Sequence, residues 1–379
     1  MSEELAFAEC DRLVREFEQV VKKPVKKRSS IYYTGVDLGT ACVVLAVLDE
    51  NRRPVAGAYR YADVVRDGMV VDYIGAIRLV REMKEELEEK LGTELIYAAA
   101  AIPPGTDALD GGAIKNVVQG AGFEITALLD EPTAANQILK IQNGAVVDIG
   151  GGTTGISILE NGKVINVDDE ATGGTHFSLV LAGAYKLPFS EAEIYKRDKK
   201  NHKEILPVLK PVIEKVASII SRQIEGYNVQ GLYLVGGTCC LSGIEDIIGK
   251  KTGIPTYKPE NPMFVTPLGI AMSCTEQEME YRIIKSPSRG TLEILARRKG
   301  SGNAVKLEDV DAVGLVQGRL IEMVCAADVA EKAVGVTVED IRGSCPQHMI
   351  MLAIFGDTAS VEAALEEIRR REKEGAEEW

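Results

Sequence analysis

Three acidic residues of this 379-residue chain stand beside turns suited to close backbone approach. In Gly35-Val36-Asp37-Leu38-Gly39-Thr40, glycines let N–H groups reach phosphate oxygens and Thr40 adds a hydroxyl donor. Asp37 suits a different task, holding the water shell of Mg2+, which sheds its hydration reluctantly. In Asp148-Ile149-Gly150-Gly151-Gly152-Thr153-Thr154, three glycines interrupt an apolar hairpin. Such glycines weaken a sheet unless a polyphosphate must come close to the backbone. Asp148 would then face Asp37 across a cleft as a second holder of Mg-bound water. In Asp130-Glu131-Pro132-Thr133-Ala134-Ala135-Asn136, Pro132 opens a helix and leaves Glu131 just before it. A carboxylate there can orient the water that attacks a γ-phosphate. Singly, each has a plain structural explanation: a strand-end turn, a hairpin, an acid favourable to the helix dipole. Together they describe one site.

The elements around these turns come in two rounds. Strands are expected over 32–36, 42–48, 55–61 and 69–72, then a helix over 74–91, a strand over 95–102, a helix over 111–121 and a strand over 125–129. The theme restarts with strands over 144–149, 154–160 and 163–170 and helices over 177–184, 191–197 and 202–226. A strand over 231–235 and a helix over 244–252 close it. Two rounds, each opening on an acid-containing glycine turn, indicate a duplicated α/β unit. Ahead of them, residues 1–30 carry a helical stripe (Leu5, Phe7, Ala8, Leu13, Phe17, Val20, Val21) and then a basic stretch. That helix packs on its own domain, frays as a tail, or docks a partner. Residues 275–288 read as a charged, Pro/Ser-containing linker, and 372–379 as a disordered charged tail.

These motifs resemble the actin, heat-shock-chaperone and MreB superfamily of ATPases. Asp37–Thr40 is similar to its first phosphate motif, Asp148–Thr153 to its second, and Glu131–Ala135 to its connecting motif. Leu234-Val235-Gly236-Gly237 is similar to its adenosine motif, and Ala192-Glu193-Ile194-Tyr195-Lys196 to the helix whose acid and lysine approach the nucleoside. Ala171-Thr172-Gly173-Gly174 looks like the phosphate-side Gly-Gly of the chaperone ATPases. The resemblance implies an actin-like fold of two ribonuclease-H-like lobes over 31–274, with ATP and Mg2+ as ligands and weak ATPase activity. Within the superfamily, Arg66–Asp72, Ile102–Asp107 and Asp169–Gly174 resemble the EutJ family, chaperone-like proteins of ethanolamine utilisation. Two departures stand out. Gly155 replaces the acid that follows the second phosphate motif in chaperone ATPases, and no equivalent of their phosphate-contacting lysine is evident.

Residues 312–371 read strand (312–317), helix (320–333), strand (338–342), strand (349–355), helix (358–370), with Ile321, Val324, Cys325, Asp328 and Val329 facing the core. The runs 311–316, 326–333 and 354–361 resemble a bacterial-microcompartment shell domain, taken over 289–371. A strand-like stretch over 291–297 ahead of them makes the order similar to the circularly permuted shell proteins EutS and PduU. The resemblance implies hexamers, with Lys332 as the lysine that pairs hexamer edges, and shell proteins or an encapsulated lyase as partners. His348 reads as a surface loop residue.

Bulk properties bound the rest. A net charge of −13 argues against nucleic-acid and anionic-membrane binding. No stretch approaches a membrane span, and seven cysteines without paired spacing indicate a reducing cytoplasm. Three functional classes stay open: a chaperone-like ATPase at a microcompartment, a nucleotide-regulated filament or shell-assembly protein, and a shell protein with an inert nucleotide-bound passenger.

Overall fold

The computed structural model describes residues 3–25, 29–66, 69–104, 108–276, 279–298, 310–332, 335–341 and 349–374. Gly68, the 105–107 stretch and His348 lie outside them. The chain divides into two compact units, Met1–Glu276 and Gln277–Trp379.

The first unit opens with α1 (Glu3–Lys22). Its first round comprises β1 (Tyr33–Leu38), β2 (Cys42–Leu48), β3 (Pro54–Tyr61), the small hairpin β4 (Val65–Arg66) and β5 (Met69–Val70), α2 (Tyr73–Leu91), β6 (Tyr97–Ile102), α3 (Ala108–Gly120), β7 (Glu124–Asp130) and α4 (Glu131–Leu139). The second comprises β8 (Gly144–Ile149), β9 (Thr154–Glu160), β10 (Lys163–Glu170), α5 (Gly174–Tyr185), α6 (Phe189–Arg197), α7 (His202–Gln223), β11 (Leu232–Val235), α8 (Ile244–Thr252), β12 (Thr256–Tyr257) and α9 (Val265–Ser273). The two five-stranded sheets run β3-β2-β1-β6-β7 and β10-β9-β8-β11-β12, the same order twice. In both, the first three strands are antiparallel and the last two add in parallel. The duplicated α/β unit is therefore present, strand for strand.

Alternation along the strands shows where the cores sit. In β2, Val43, Leu45 and Val47 face a core of the first lobe with α2 and α3. Val44, Ala46 and Leu48 face the opposite way, into a core shared by both lobes. β11 divides likewise, Leu232 and Leu234 into the second lobe's core and Tyr233 and Val235 into the shared one. Strands buried on both faces need continuous apolar runs, which is what β2 and β8 carry. Helices α4 and α9 lie in the shared core and cross so closely that a Cβ on Gly269 would fall 1.8 Å from the Ala134 carbonyl oxygen. Helix α1 also packs there, burying Cys10, Leu13, Val14, Phe17 and Val20, so the helix is packed on its own unit and is not a frayed tail.

The second unit holds β13 (Glu280–Lys285), α10 (Arg289–Arg298), β14 (Ala312–Arg319), α11 (Leu320–Glu331), β15 (Val336–Ile341), β16 (Met349–Gly356) and α12 (Thr358–Glu374). The antiparallel sheet order is β13-β14-β16-β15. α11 and α12 cover one face and α10 the other. Four expectations are corrected here. The supposed linker contains β13, whose Tyr281 and Ile283 alternate with charged residues and pack inward. Residues 291–297 are helical: Leu292 and Leu295, three apart, are buried while Ile294 between them is exposed, and the Ser288 hydroxyl accepts from Thr291 N–H at the helix start. The expected tail begins inside α12, which continues to Glu374. α11 buries Met323, Ala326, Val329 and Ala330 and turns Ile321 and Val324 outward, so of the expected stripe Val329 faces the core while Ile321 and Val324 do not.

Candidate functional site in the interlobe cleft

A cavity of about 130 Å3 in the first unit collects most of the chemistry read from the sequence. The β1–β2 turn supplies Asp37, Gly39 and Thr40, the start of α4 supplies Glu131, and the end of β8 supplies Asp148. The β8–β9 turn adds Gly150, Gly151, Gly152 and Thr153; α6 adds Glu193 and Lys196; the turn after β11 adds Gly236 and Gly237. Gly173 and Gly174 lie behind this lining. Gly174 N–H donates to the Gly150 carbonyl (2.9 Å) and Thr175 N–H to that of Gly151 (2.8 Å), so the pair braces the β8–β9 turn from the back. Lys332 belongs to the second unit, exposed on the last turn after α11 and ion-paired with Asp328.

Local structure explains why each acid points inward. Asp130 caps α4, its carboxylate accepting from Thr133 N–H at 2.8 Å, so capping is served by that residue and Glu131 is left to the cleft. Asp148 is 5% exposed, its backbone held between β9 and β11, and the Thr266 hydroxyl donates to its Oδ2 at 2.6 Å. Thr266 was missed from sequence; a buried threonine in the apolar opening of α9 was the available signal. Gly236 sits at φ 90° and ψ 161°, and a Cβ there would approach Asp148 Oδ1 to 2.2 Å. Thr238 closes the arrangement by donating to the Gly150 carbonyl at 2.7 Å.

On the other side Lys196 Nζ donates to Glu193 Oε1 (2.7 Å), Ser178 Oγ (2.7 Å) and the Gly174 carbonyl (2.8 Å). His202 ties the end of this helix down: Ser242 N–H reaches its Nδ1 at 3.1 Å and its Nε2 meets the Lys196 carbonyl at 3.0 Å. Arg197 bonds Glu193 Oε2 at 2.8 Å and lies 3.6 Å over the ring of Tyr61, joining α6 to β3 across the cleft. Tyr61, Lys196, Arg197, Gly237, Thr238 and Met263 also line an adjoining cavity of about 380 Å3. A phosphate-sized space thus opens into a larger one walled by aromatic and cationic groups. Tyr61 and Arg197 carry no motif of their own.

Burial sets the electrostatics. It raises Asp37 to about 7, helped by the charge of Asp148, and Asp148 to about 6 against the pull of the Thr266 hydroxyl. Glu131 is pushed well above the usual carboxylate range by burial and then by Asp148 and Asp37. Glu193 stays below its usual value because Lys196, Ser178 and Arg197 outweigh its burial. Clustered carboxylates whose charged forms are unfavourable form a site that a cation would relieve. The donors are all hard oxygens, matching Mg2+ rather than a soft metal. Among the described residues no three His, Cys, Asp or Glu side chains lie close enough to chelate a metal directly.

A stability experiment follows. With folded-state values of about 7 and 6 against 3.8 unfolded, these two groups bind protons more tightly when folded. Their effect is neutral below about pH 4 and becomes destabilising as pH rises through that window. Without Mg2+, Asp37→Asn is expected to melt about 3 °C or more above wild type at pH 8 and no higher at pH 4. Calorimetric melts at both pH values check this.

Comparison with known proteins bears on both units. Residues 56–183 match the family model of MreB/Mbl protein and 128–267 that of type IV pilus assembly protein PilM. The ethanolamine utilization protein EutJ of Salmonella typhimurium is 48% identical over 242 residues, 64% of this chain and 85% of that protein. Solved EutJ from Carboxydothermus hydrogenoformans is 48% identical, covers 72% of this chain and 99% of its own, and superposes with a TM-score of 0.67. MreB 5 of Spiroplasma citri bound to AMPPNP, at 18% identity, 64% and 95% coverage and a TM-score of 0.54, shares the fold. The GrpU microcompartment shell protein from Clostridiales bacterium 1_7_47FAA is 66% identical over 25% of this chain and 94% of its own, with a TM-score of 0.20 that leaves the second unit to its own geometry. The doubled sheet and its cleft are those of the actin-like ATPase fold. With near-half identity across 85% of a curated relative and nearly all of a solved one, the chain belongs to the ethanolamine utilization protein EutJ family.

Proposed function

We propose that this chain binds Mg-ATP in the interlobe cleft, hydrolyses it slowly and acts as a chaperone-like protein at a bacterial microcompartment of the ethanolamine-utilisation type, its second unit serving as a shell domain. The observation that carries the nucleotide reading is the convergence of Asp37, Glu131, Asp148 and two glycine-bearing turns on one cavity. Backbone N–H groups of the Gly39–Thr40 and Gly150–Thr153 turns would hold the β- and γ-phosphates. Asp37 and Asp148 would hold Mg2+ through water. Bound Mg2+ supplies charge neutralisation on the transferring phosphate. Glu131 orients the attacking water and takes its proton, a role favoured by its raised pKa. Glu193, Lys196 and the larger cavity would take the nucleoside. Lobe closure on the nucleotide would alter the surface offered to a client, such as a lyase or shell subunit.

The shell reading draws on the 311–316, 326–333 and 354–361 runs and on the sheet of the second unit, covered by helices on both faces. The strand that precedes β14 in the sheet is β13, so a permuted order rests on 280–285 and not on 291–297. Steady-state turnover by the full chain should be slow but above that of Asp148→Ala; equal rates contradict the catalytic reading. Light scattering should give a hexamer for the full chain and a monomer for a chain ending at Glu276. The same state for both contradicts the tether.

A further inference from the structure

β10 carries three consecutive acids, and only the middle one turns toward the site. Asp168 is exposed and accepts from the Asp169 N–H at 2.9 Å, while Glu170 pairs outward with Arg222 at 2.9 Å. Strand alternation sends Asp169 the other way. The β9–β10 register sets Asp169 directly opposite Gly155. Residues facing each other across an antiparallel ladder share one side of the sheet. On that side, the direction of the side chain Gly155 lacks leads to Pro104 and to Pro132, beside Glu131 at the start of α4. The carboxylate of Asp169 therefore shares a face with the catalytic turn, and the glycine opposite leaves it room. Thr153, a cavity-lining residue, lowers the pKa of this carboxylate against the upward push of its burial. Its Oδ1 is buried with no hydrogen-bond partner among the described residues. The charge of Asp169 is felt at Glu131, and Asp148 is felt at Asp169, so all three lie within one electrostatic neighbourhood.

A buried carboxylate oxygen without a donor is costly unless the working state provides one. We propose that Asp169 is a fourth carboxylate of the site, a positioning residue whose Oδ1 accepts a hydrogen bond from a water of the hydrated Mg2+. This rests on the Mg-ATP reading. It assigns work to the strand opposite Gly155, the position just after the second phosphate motif that carries no acid here. Outer partners of this kind typically change metal affinity by about 10- to 100-fold when lost.

The test uses the full chain, with ATP titrated calorimetrically at stepped MgCl2 concentrations and in EDTA. Asp169→Asn is expected to need about 10-fold more Mg2+ for half-maximal binding, with ATP affinity in EDTA within about two-fold of wild type. Asp168→Asn, on the outer face of the same strand, should match wild type in both. If Asp169→Asn does not melt cooperatively, Asp169→Ser takes its place with the same expected shift. A variant that binds ATP with the wild-type Mg2+ requirement overturns the role of Asp169 alone. Wild type that binds no ATP, or binds it equally with and without Mg2+, overturns the Mg-ATP reading and this assignment with it.

Discussion

Replacing Glu131 with glutamine is expected to lower ATP turnover about 100-fold while leaving Mg-ATP affinity within a few-fold of wild type. The amide keeps the shape and can still bond to water, but it cannot accept the proton that leaves during attack. Glu131 is equipped for that step. Burial and the neighbouring Asp148 and Asp37 raise its pKa, which makes it a stronger base than an ordinary glutamate. Its position at the first turn of α4 is braced by the Asp130 cap and by the α4–α9 crossing, so the substitution should leave the fold intact. Single-turnover rates with saturating Mg-ATP separate chemistry from binding. A rate equal to wild type would mean that another group handles the water.

The second large effect concerns Gly236. Its backbone, at φ 90° and ψ 161°, lies in a region open almost solely to glycine, and a Cβ would meet Asp148 Oδ1 at 2.2 Å and the Ile149 carbonyl at 2.6 Å. Neither can yield readily, because Asp148 is tied to Thr266 and flanked by β9 and β11. Gly236→Ala should therefore cost about 3 kcal/mol in stability, lower the melting temperature by roughly 6–12 °C and weaken Mg-ATP binding at least about 10-fold. Gly237→Ala is the matched control. A Cβ there would have nothing within 4 Å, so its effect should stay within about 1 kcal/mol. Equal melting temperatures for the two variants would contradict this account of the turn.

The site was legible where composition and local backbone demand coincide. Glycines beside an acid at the end of an apolar strand have few uses, so Asp37 and Asp148 could be read without coordinates, and the repeated strand pattern announced the doubled sheet. What escaped were contacts made only by folding. Thr266 comes from an apolar helix more than a hundred residues after Asp148, and Tyr61 meets Arg197 only because the lobes face each other. Gly174 braces the β8–β9 turn from behind, a contact a Gly-Gly pair does not announce in sequence. In the second unit, Thr291–Ile294 alternates polar and apolar residues as a strand would. Burial of Leu292 and Leu295, together with the Ser288 cap, makes it a helix. Short segments with two compatible periodicities are decided by what they pack against.

The adjoining cavities tie these points to function. Their shared wall of Tyr61, Lys196 and Arg197 contains the only Tyr–Arg stack across the cleft among the described contacts, which the proposed function sets beside the nucleoside. In the proposed function the acids deeper in the cleft would take a cation together with the phosphate. These demands meet in calorimetric titration of ATP into the full chain, wild type and Asp148→Asn, with and without MgCl2. One ATP per chain, bound at least about 10-fold more tightly with Mg2+ in wild type and with that dependence reduced in Asp148→Asn, is the predicted result. An ATP affinity that ignores both Mg2+ and the loss of Asp148, or no binding at all, would contradict it.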